Sequence, residues 1–217
     1  ILIVLLLLAV LLVLYLNVYS KKTLNDRREL LLLVVIILLT LLVARALFKY
    51  TPLAIPIFIA TMLISILLDM KIALIANLIL TVAISFMTKG DLGFIYMALI
   101  SGSFSCFIVN KANQRNKLFM SGILVAFLNV LIIVCLGIIN DSDINTMMIN
   151  SFIVFLNGII SIVLTIGLLP FWESTFSIIT PMKLMELSNP NHPLMKRLLM
   201  EAPGTYHHSL MAGNLAE

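Results

Sequence analysis

Long apolar runs separated by short polar turns make up the chain as far as Trp172. About 20 helical residues cross the ~30 Å hydrocarbon core of a bilayer, and each run has about that length. Seven such spans are predicted, near residues 1–19, 30–48, 52–68, 71–88, 92–109, 118–139 and 149–172. The pattern therefore predicts an all-α, polytopic membrane protein with a seven-helix transmembrane bundle.

The third and fourth spans are separated only by Asp69-Met70-Lys71. This spacing fits either a tight hairpin at the membrane surface or a short re-entrant pair. We favour the hairpin, because charged side chains are costly to leave in lipid. Pro52 and Pro56 are expected in a turn or in the first helical turn of the third span, where a missing N–H is tolerated.

The pattern changes after Trp172 into a short helical tail. Phe176, Ile178 and Ile179 continue the apolar run, so the last helix is expected to extend beyond the membrane. Pro181 is predicted to open a short helix that ends at Asn189-Pro190.

Residues 193–201 are predicted to form an amphipathic connector helix. Leucines fall on one side and basic residues on the other, which is the spacing of a two-faced helix. The leucines are Leu194, Leu198 and Leu199, and the basic residues are Lys196 and Arg197. The segment either couples span movements to the rest of the protein or lies at the membrane surface.

Small and uncharged polar residues lie inside the spans. Ala98, Gly102 and Cys106 recur every fourth residue, with Ser101 and Ser105 beside them. Such a stripe favours close helix packing over a polar pocket. Three asparagines are expected to bond across helices, because an unsatisfied amide is costly in lipid. They are Asn77, Asn129 and Asn157.

Composition and charge narrow the class of protein. With 62% hydrophobic residues and a mean hydropathy of +1.16, the chain is unlike a water-soluble domain. The net charge of +4 comes from scattered basic residues without an aromatic stripe, so no nucleic-acid partner is expected. No ionisable residue lies near the middle of a span, which argues against an ion-coupled transporter.

Basic residues in the loops predict the orientation in the cell membrane. One set of alternate loops carries eight before the last span: Lys21, Lys22, Arg27, Arg28, Lys71, Lys111, Arg115 and Lys117. The other set carries three: Arg45, Lys49 and Lys89. The richer side is expected to be cytoplasmic, which places the N-terminus outside and the tail inside.

The first span does not resemble a cleaved signal peptide. It has full span length, no basic region ahead of it and no small-residue cleavage site. Because the chain starts at Ile1 without a methionine, we expect further sequence upstream.

All three histidines lie in the tail, within 188–217. Thr205 can cap a helix that places four residues on one face at three- and four-residue spacing. These are His208, Met211, Ala212 and Leu215.

The run EAPGTYHHSLMAGNLAE, preceded by LMELSNPNHPLMKRLL, resembles the start of the HD-hydrolase domain in bacterial seven-transmembrane HD receptors. The resemblance implies a cyclic-di-AMP phosphodiesterase with an outer sensory domain, a seven-helix membrane domain and a cytoplasmic metal-dependent hydrolase. The predicted domains are then 1–172 for the membrane part, 173–202 for connector helices and 203–217 for the truncated start of the HD domain. By resemblance, His208 is the first metal ligand. His207 lies about 100° further around the helix and is therefore expected to take a packing or supporting contact. His192, in the Asn-Pro-Asn-His-Pro loop, is expected to be a surface residue.

This chain alone is not expected to be an enzyme. It has no Asp after Asp143 and no His-Asp pair, so the catalytic site is incomplete. No cofactor-binding residue is predicted in this chain, and no bound metal is expected in it. The resemblance implies a divalent metal pair, Mn or Fe, in the intact protein, with ligands beyond Glu217 and a cyclic dinucleotide as substrate.

Three functions fit the sequence. The first is a membrane anchor and signal coupler for a phosphodiesterase, the second is a small-molecule transporter or receptor formed by the seven helices, and the third is a plain anchor. The expected partners are the lipid bilayer and a sensor domain in the same polypeptide, and a homodimer is left open.

Overall fold

The computed structural model describes residues 2–110, 115–188, 191 and 193–216. These residues form helices and turns, without a strand among them, which confirms the all-α prediction. The chain divides into two compact units, Ile1–Ile178 and Ile179–Glu217.

Helices α1 to α9 belong to the first unit. Their bounds are α1 Leu2–Tyr19, α2 Lys21–Asn25, α3 Arg27–Leu47, α4 Ile57–Leu67, α5 Met70–Met87, α6 Leu92–Tyr96, α7 Gly102–Asn110, α8 Arg115–Ile139 and α9 Ile144–Phe176. A π-helical segment, Met97–Ser101, joins α6 to α7, so that Leu92–Asn110 forms one span.

The helices agree with the predicted spans in number and order. Among the described residues, five are long and apolar enough to cross a membrane: Arg27–Leu47, Met70–Met87, Leu92–Asn110, Asn116–Ile139 and Ile144–Phe176. Two further apolar helices are shorter, Ile3–Tyr19 and Pro52–Leu67. Each predicted span therefore corresponds to one of these helices.

Helix α4 lies at the centre of the first unit. It packs against α3, α5, α7 and α9. Nine of its 11 residues are buried, which fits a helix that is hydrophobic all round. At 1.5 Å per residue it is only about 16 Å long, shorter than the hydrocarbon core.

The segment before α4 is not a regular α-helix, which corrects the continuous helix predicted over 52–68. Pro52–Ala54 forms one 3₁₀ turn, Ile55 is extended, and α4 begins only after Pro56. The cause is the pair of prolines, since neither can donate a backbone hydrogen bond to a preceding carbonyl. Their placement in a turn and just ahead of the helix confirms the prediction for both.

Asn157 on α9 satisfies the carbonyl groups that this break exposes. Its Nδ2 donates to the Leu53 carbonyl at 2.8 Å and to the Ile55 carbonyl at 3.0 Å, and the side chain is buried. Its Oδ1 accepts from the Ser161 hydroxyl at 3.2 Å. Irregular backbone at membrane depth is tolerated only when the protein itself satisfies it. The predicted cross-helix role of Asn157 is confirmed.

Asn129 on α8 behaves differently from Asn157. It is fully buried, and neither side-chain nitrogen nor oxygen has a hydrogen-bond partner within the described parts of the chain. The cross-helix bond predicted for Asn129 is therefore not formed. The amide is buried by helix packing without the partner that would offset its desolvation.

The turn between α4 and α5 has the tight form predicted for a surface hairpin. Only Leu68 and Asp69 separate the two helices, and the Asp69 side chain caps α5 by accepting from the Lys71 backbone N–H at 3.3 Å. The charged residue that would be costly in lipid thus closes a helix end.

Helices α8 and α9 form the most extensive helix pair, and glycines allow their close approach. A Cβ at Gly158 would lie 2.7 Å from the Ala126 Cα, and a Cβ at Gly122 would lie 2.2 Å from the Ile162 side chain. Each glycine therefore leaves the space that a backbone or side chain of the partner helix occupies.

Helix α9 is 33 residues long, about 50 Å, and contains Pro170. It ends at Phe176 because Ser177 takes a left-handed conformation with φ 54°, and the Ile178 N–H returns to the Glu173 carbonyl. The prediction of a helical extension past Trp172 is confirmed to Phe176, but its continuation through Ile178 and Ile179 is wrong.

The second unit contains α10 Pro181–Leu187, α11 Pro193–Glu201 and α12 Pro203–Ala216. Thr180 caps α10 by accepting from the Lys183 N–H at 3.2 Å. The helices predicted after Pro181 and over 193–201 are confirmed, and their role as connectors stays a prediction. The predicted stop at Asn189-Pro190 lies outside the described residues. Helix α12 begins at Pro203, so Thr205 lies inside its first turn and does not cap it; proline at the first helical position needs no N–H partner.

We expect Gly158→Ala to destabilise the first unit by about 1–3 kcal/mol, because the new methyl group would overlap the Ala126 backbone. Gly167→Ala on the same helix is the matched control. Nothing lies within 4 Å of its added Cβ, so the change should be neutral or stabilising by up to about 1 kcal/mol. Thermal unfolding in detergent, followed by circular dichroism, measures both. Equal loss of stability in the two variants would contradict this account.

We expect Asn157→Leu to lower the free energy of unfolding by about 1–3 kcal/mol, because the Leu53 carbonyl loses its donor and the Ile55 carbonyl keeps only the bond from the Ile57 N–H. The same change at Asn129 should be neutral or stabilising, since it removes a buried amide without a partner among the described residues. Unfolding of both variants under one detergent condition tests the opposite signs. The interpretation fails if Asn129→Leu is the more damaging change.

Candidate functional site

The stripe of small residues on the fifth span packs against α5. The Asn77 side chain occupies the space beside Gly102, where an added Cβ would lie only 2.4 Å from Asn77 Oδ1. Asn77 Nδ2 donates to the Ala98 carbonyl at 2.9 Å, within the π-helical segment. Both the packing role of the stripe and the cross-helix bond of Asn77 are confirmed.

Two hydroxyl groups of α4 pair with the other side of the same stripe. Thr61 Oγ1 lies 3.0 Å from Ser105 Oγ, and the Ser65 hydroxyl donates to the Cys106 carbonyl at 3.0 Å. The sequence analysis missed Thr61 and Ser65. Their four-residue spacing, which places both on one helix face, is the signal that could have identified them.

A second polar row runs along α9. Asn157, Ser161 and Thr165 follow at four-residue intervals and are buried. The Thr165 hydroxyl donates to the Ser161 carbonyl at 2.7 Å, and Ser161 donates to Asn157. Because these groups bond to one another and to the start of α4, the row holds the helices together.

Two of the three tail histidines, His207 and His208, lie on α12. Tyr206 is buried within the second unit, whereas His207 and His208 are exposed. The rings of Tyr206 and His207 meet edge to face, with centroids 5.6 Å apart. Since adjacent helical residues point about 100° apart, His207 and His208 face different directions. His192 lies outside the described residues.

His208 is exposed on the first turns of α12 and shares its face with Met211 and Leu215, which are also exposed. A neutral imidazole can bind a divalent metal, but metal centres combine several ligands. Within the described ranges, no three His, Cys, Asp or Glu side chains lie close enough to hold one ion. His208 therefore supplies one candidate ligand, and the described residues alone do not fit a metal pair.

Comparison with known proteins assigns the chain to a family. Residues 1–180 match the family described as "7TM receptor with intracellular HD hydrolase". The Bacillus subtilis protein named cyclic-di-AMP phosphodiesterase PgpH is 39% identical over 171 residues, which cover 75% of this chain and 24% of that protein. The protein of the same name from Listeria monocytogenes is 36% identical over 167 residues, covering 75% and 23%.

A third relative, the uncharacterized protein slr0104 of Synechocystis, is 35% identical over 131 residues, covering 58% of this chain and 16% of that protein. The chain thus spans about a quarter or less of the length of these curated relatives. No solved structure matches it. Because the family match covers residues 1–180, and five of the described helices there are long and apolar enough to span a membrane, the chain belongs to the family of seven-transmembrane receptors with an intracellular HD hydrolase.

Proposed function

We propose that this chain is the membrane-anchoring and signal-coupling part of a metal-dependent phosphodiesterase that hydrolyses cyclic-di-AMP. The observation that carries the proposal is the family match over residues 1–180, together with two relatives that are named cyclic-di-AMP phosphodiesterases. Since the chain spans only part of these relatives, the hydrolase itself belongs to the longer protein. The proposal includes a sensor domain ahead of the first span.

The proposed orientation places the N-terminus outside and the C-terminal unit in the cytoplasm. Basic residues support it, because eight lie in one set of loops before the last span and three in the other. With this orientation, the helix that carries His208 reaches the compartment where a cyclic dinucleotide signal is degraded.

In the longer protein, His208 is proposed to be the first ligand of the catalytic metal pair. Its exposure on α12 leaves the imidazole free to meet ligands from residues beyond this chain. In the longer protein, His208 would help to hold a divalent metal, whose chemistry when bound would be to activate a water and to offset charge on the phosphoryl oxygens. His207 would support the helix through its ring contact with Tyr206.

Signal coupling is proposed to pass through α9. This helix packs against α3, α4 and α8, so that a displacement of any of these three helices would also move α9. It ends at Phe176, and residues 177–180 connect it to α10 without regular structure. The coupling therefore depends on a short non-helical link, at the place where the last helix was expected to continue through Ile178 and Ile179.

We expect His208→Ala in the natural, longer protein to reduce hydrolysis of cyclic-di-AMP by at least about 100-fold and to lower the bound Mn content, because a metal ligand is lost. His207→Ala is the matched control and should retain both. The assay follows opening of cyclic-di-AMP to its linear dinucleotide in detergent with Mn²⁺. Full activity and full metal content in His208→Ala would exclude the assignment.

We expect a flexible Gly-Ser insertion after Ile178 to preserve basal hydrolysis but to remove the effect of the outer domain, since rigid-body movements of α9 would no longer be transmitted. The comparison uses the longer protein with and without its upstream domain, each with and without the insertion. The same insertion between Lys89 and Gly90, in the turn before α6, is the control. If the outer domain still changes activity across the Ile178 insertion, coupling through this link is wrong.

A further inference from the structure

A cleft lies on the first unit between α3, α4 and α9. Its volume is about 270 Å³. Thr40 and Val43 line it from α3, Leu63 from α4, and Leu168 and Trp172 from α9. The cleft therefore lies where α3 and α9 both border the central helix.

The lining of the cleft is almost entirely hydrocarbon. No charged side chain contributes to it, and its hydroxyl group, that of Thr40, donates to the Ile36 carbonyl of its own helix at 2.8 Å. Among the described residues, the Trp172 indole nitrogen is the one lining side-chain donor without a partner, and it is itself buried. A ligand with several polar groups would therefore lose hydration there without gaining equivalent partners. The chemistry of the lining matches an aliphatic chain.

The cleft is continuous with the surface that faces the bilayer. Val43 and Leu168, on opposite walls, are each 38% exposed, and Leu39 and Leu164 beside them are more exposed. In a multi-pass membrane protein, this surface contacts lipid chains. A lipid chain can therefore enter the cleft sideways without crossing a polar barrier.

The dimensions of the cleft suit part of one acyl chain. Along α9 it extends from Leu164 to Trp172, a rise of about 12 Å. Trp172 lies close to the end of α9, where aromatic rings favour the headgroup region, so a chain entering there would run toward the bilayer centre. If the cleft stayed empty, its lining would lack the contacts that close packing normally provides.

We propose that one acyl chain of a membrane glycerophospholipid occupies the α3–α4–α9 cleft as a bound lipid. The bound chain completes the packing between α3 and α9 at the central helix. This site is independent of the proposed hydrolase activity, because its residues all belong to the first unit.

Trp172 is the only tryptophan of the 217-residue chain and lines the cleft, so its fluorescence reports on the occupant. The chain is reconstituted in nanodiscs of phosphatidylcholine that carries bromine on its acyl chains, since bromine quenches tryptophan at short range. The blocking variant is Thr40→Phe, which places a ring in the cleft. The matched control is Val34→Phe, at an exposed position of α3 that does not line the cleft.

We expect strong quenching in the wild type and in Val34→Phe, and loss of most of the quenching in Thr40→Phe. Equal quenching in all three proteins would overturn the proposal, because it would mean that only the surrounding bulk lipid reaches Trp172. Native mass spectrometry after exchange into detergent provides a measurement that does not depend on the variants. The folded wild type should retain a bound phospholipid, and complete loss of lipid from it would also overturn the proposal.

Discussion

Every backbone N–H and C=O group that lies in lipid must form its hydrogen bond within the protein. The segment just before α4 is where this requirement is hardest to fulfil. Pro52 and Pro56 interrupt the helix and leave the Leu53 and Ile55 carbonyls without helical donors. The Asn157 amide donates to both carbonyls from α9, and the Ile55 carbonyl also accepts from the Ile57 N–H. Because α4 is surrounded by four other helices, this contact fixes the last span against the centre of the bundle.

Close packing of small residues holds the remaining helices together, since lipid tails provide no hydrophobic force for association. Gly158 and Gly122 let α8 and α9 approach, and Gly102 leaves room for the Asn77 amide between α5 and α7. Hydroxyl groups on α4 add hydrogen bonds to α7 at the same depth. In a soluble protein, burial of apolar side chains away from water stabilises the core. Here, close packing at glycines and hydrogen bonds between helices provide the stabilisation instead.

Helix α9 connects these structural features to the proposed function. It carries Asn157, packs against α3, α4 and α8, lines the apolar cleft through Leu168 and Trp172, and leads to the C-terminal unit. A lipid chain in the cleft would support α9 on the side where it faces α3. The left-handed Ser177 ends the helix, so that the membrane part and the tail that bears His208 are joined by a short link.

The sequence by itself determined the apolar spans, the hairpin at Asp69 and the connector helices at 181–187 and 193–201, because length, hydropathy and capping residues are local properties. It also suggested His208 as a ligand, which stays a prediction, since a metal site needs residues brought together by folding. Only the tertiary structure decided that Asn157 bonds across 104 residues to Leu53 and that Asn129 has no partner among the described residues. Local composition sets whether a segment enters the membrane, whereas the choice of hydrogen-bond partners depends on which distant helices meet.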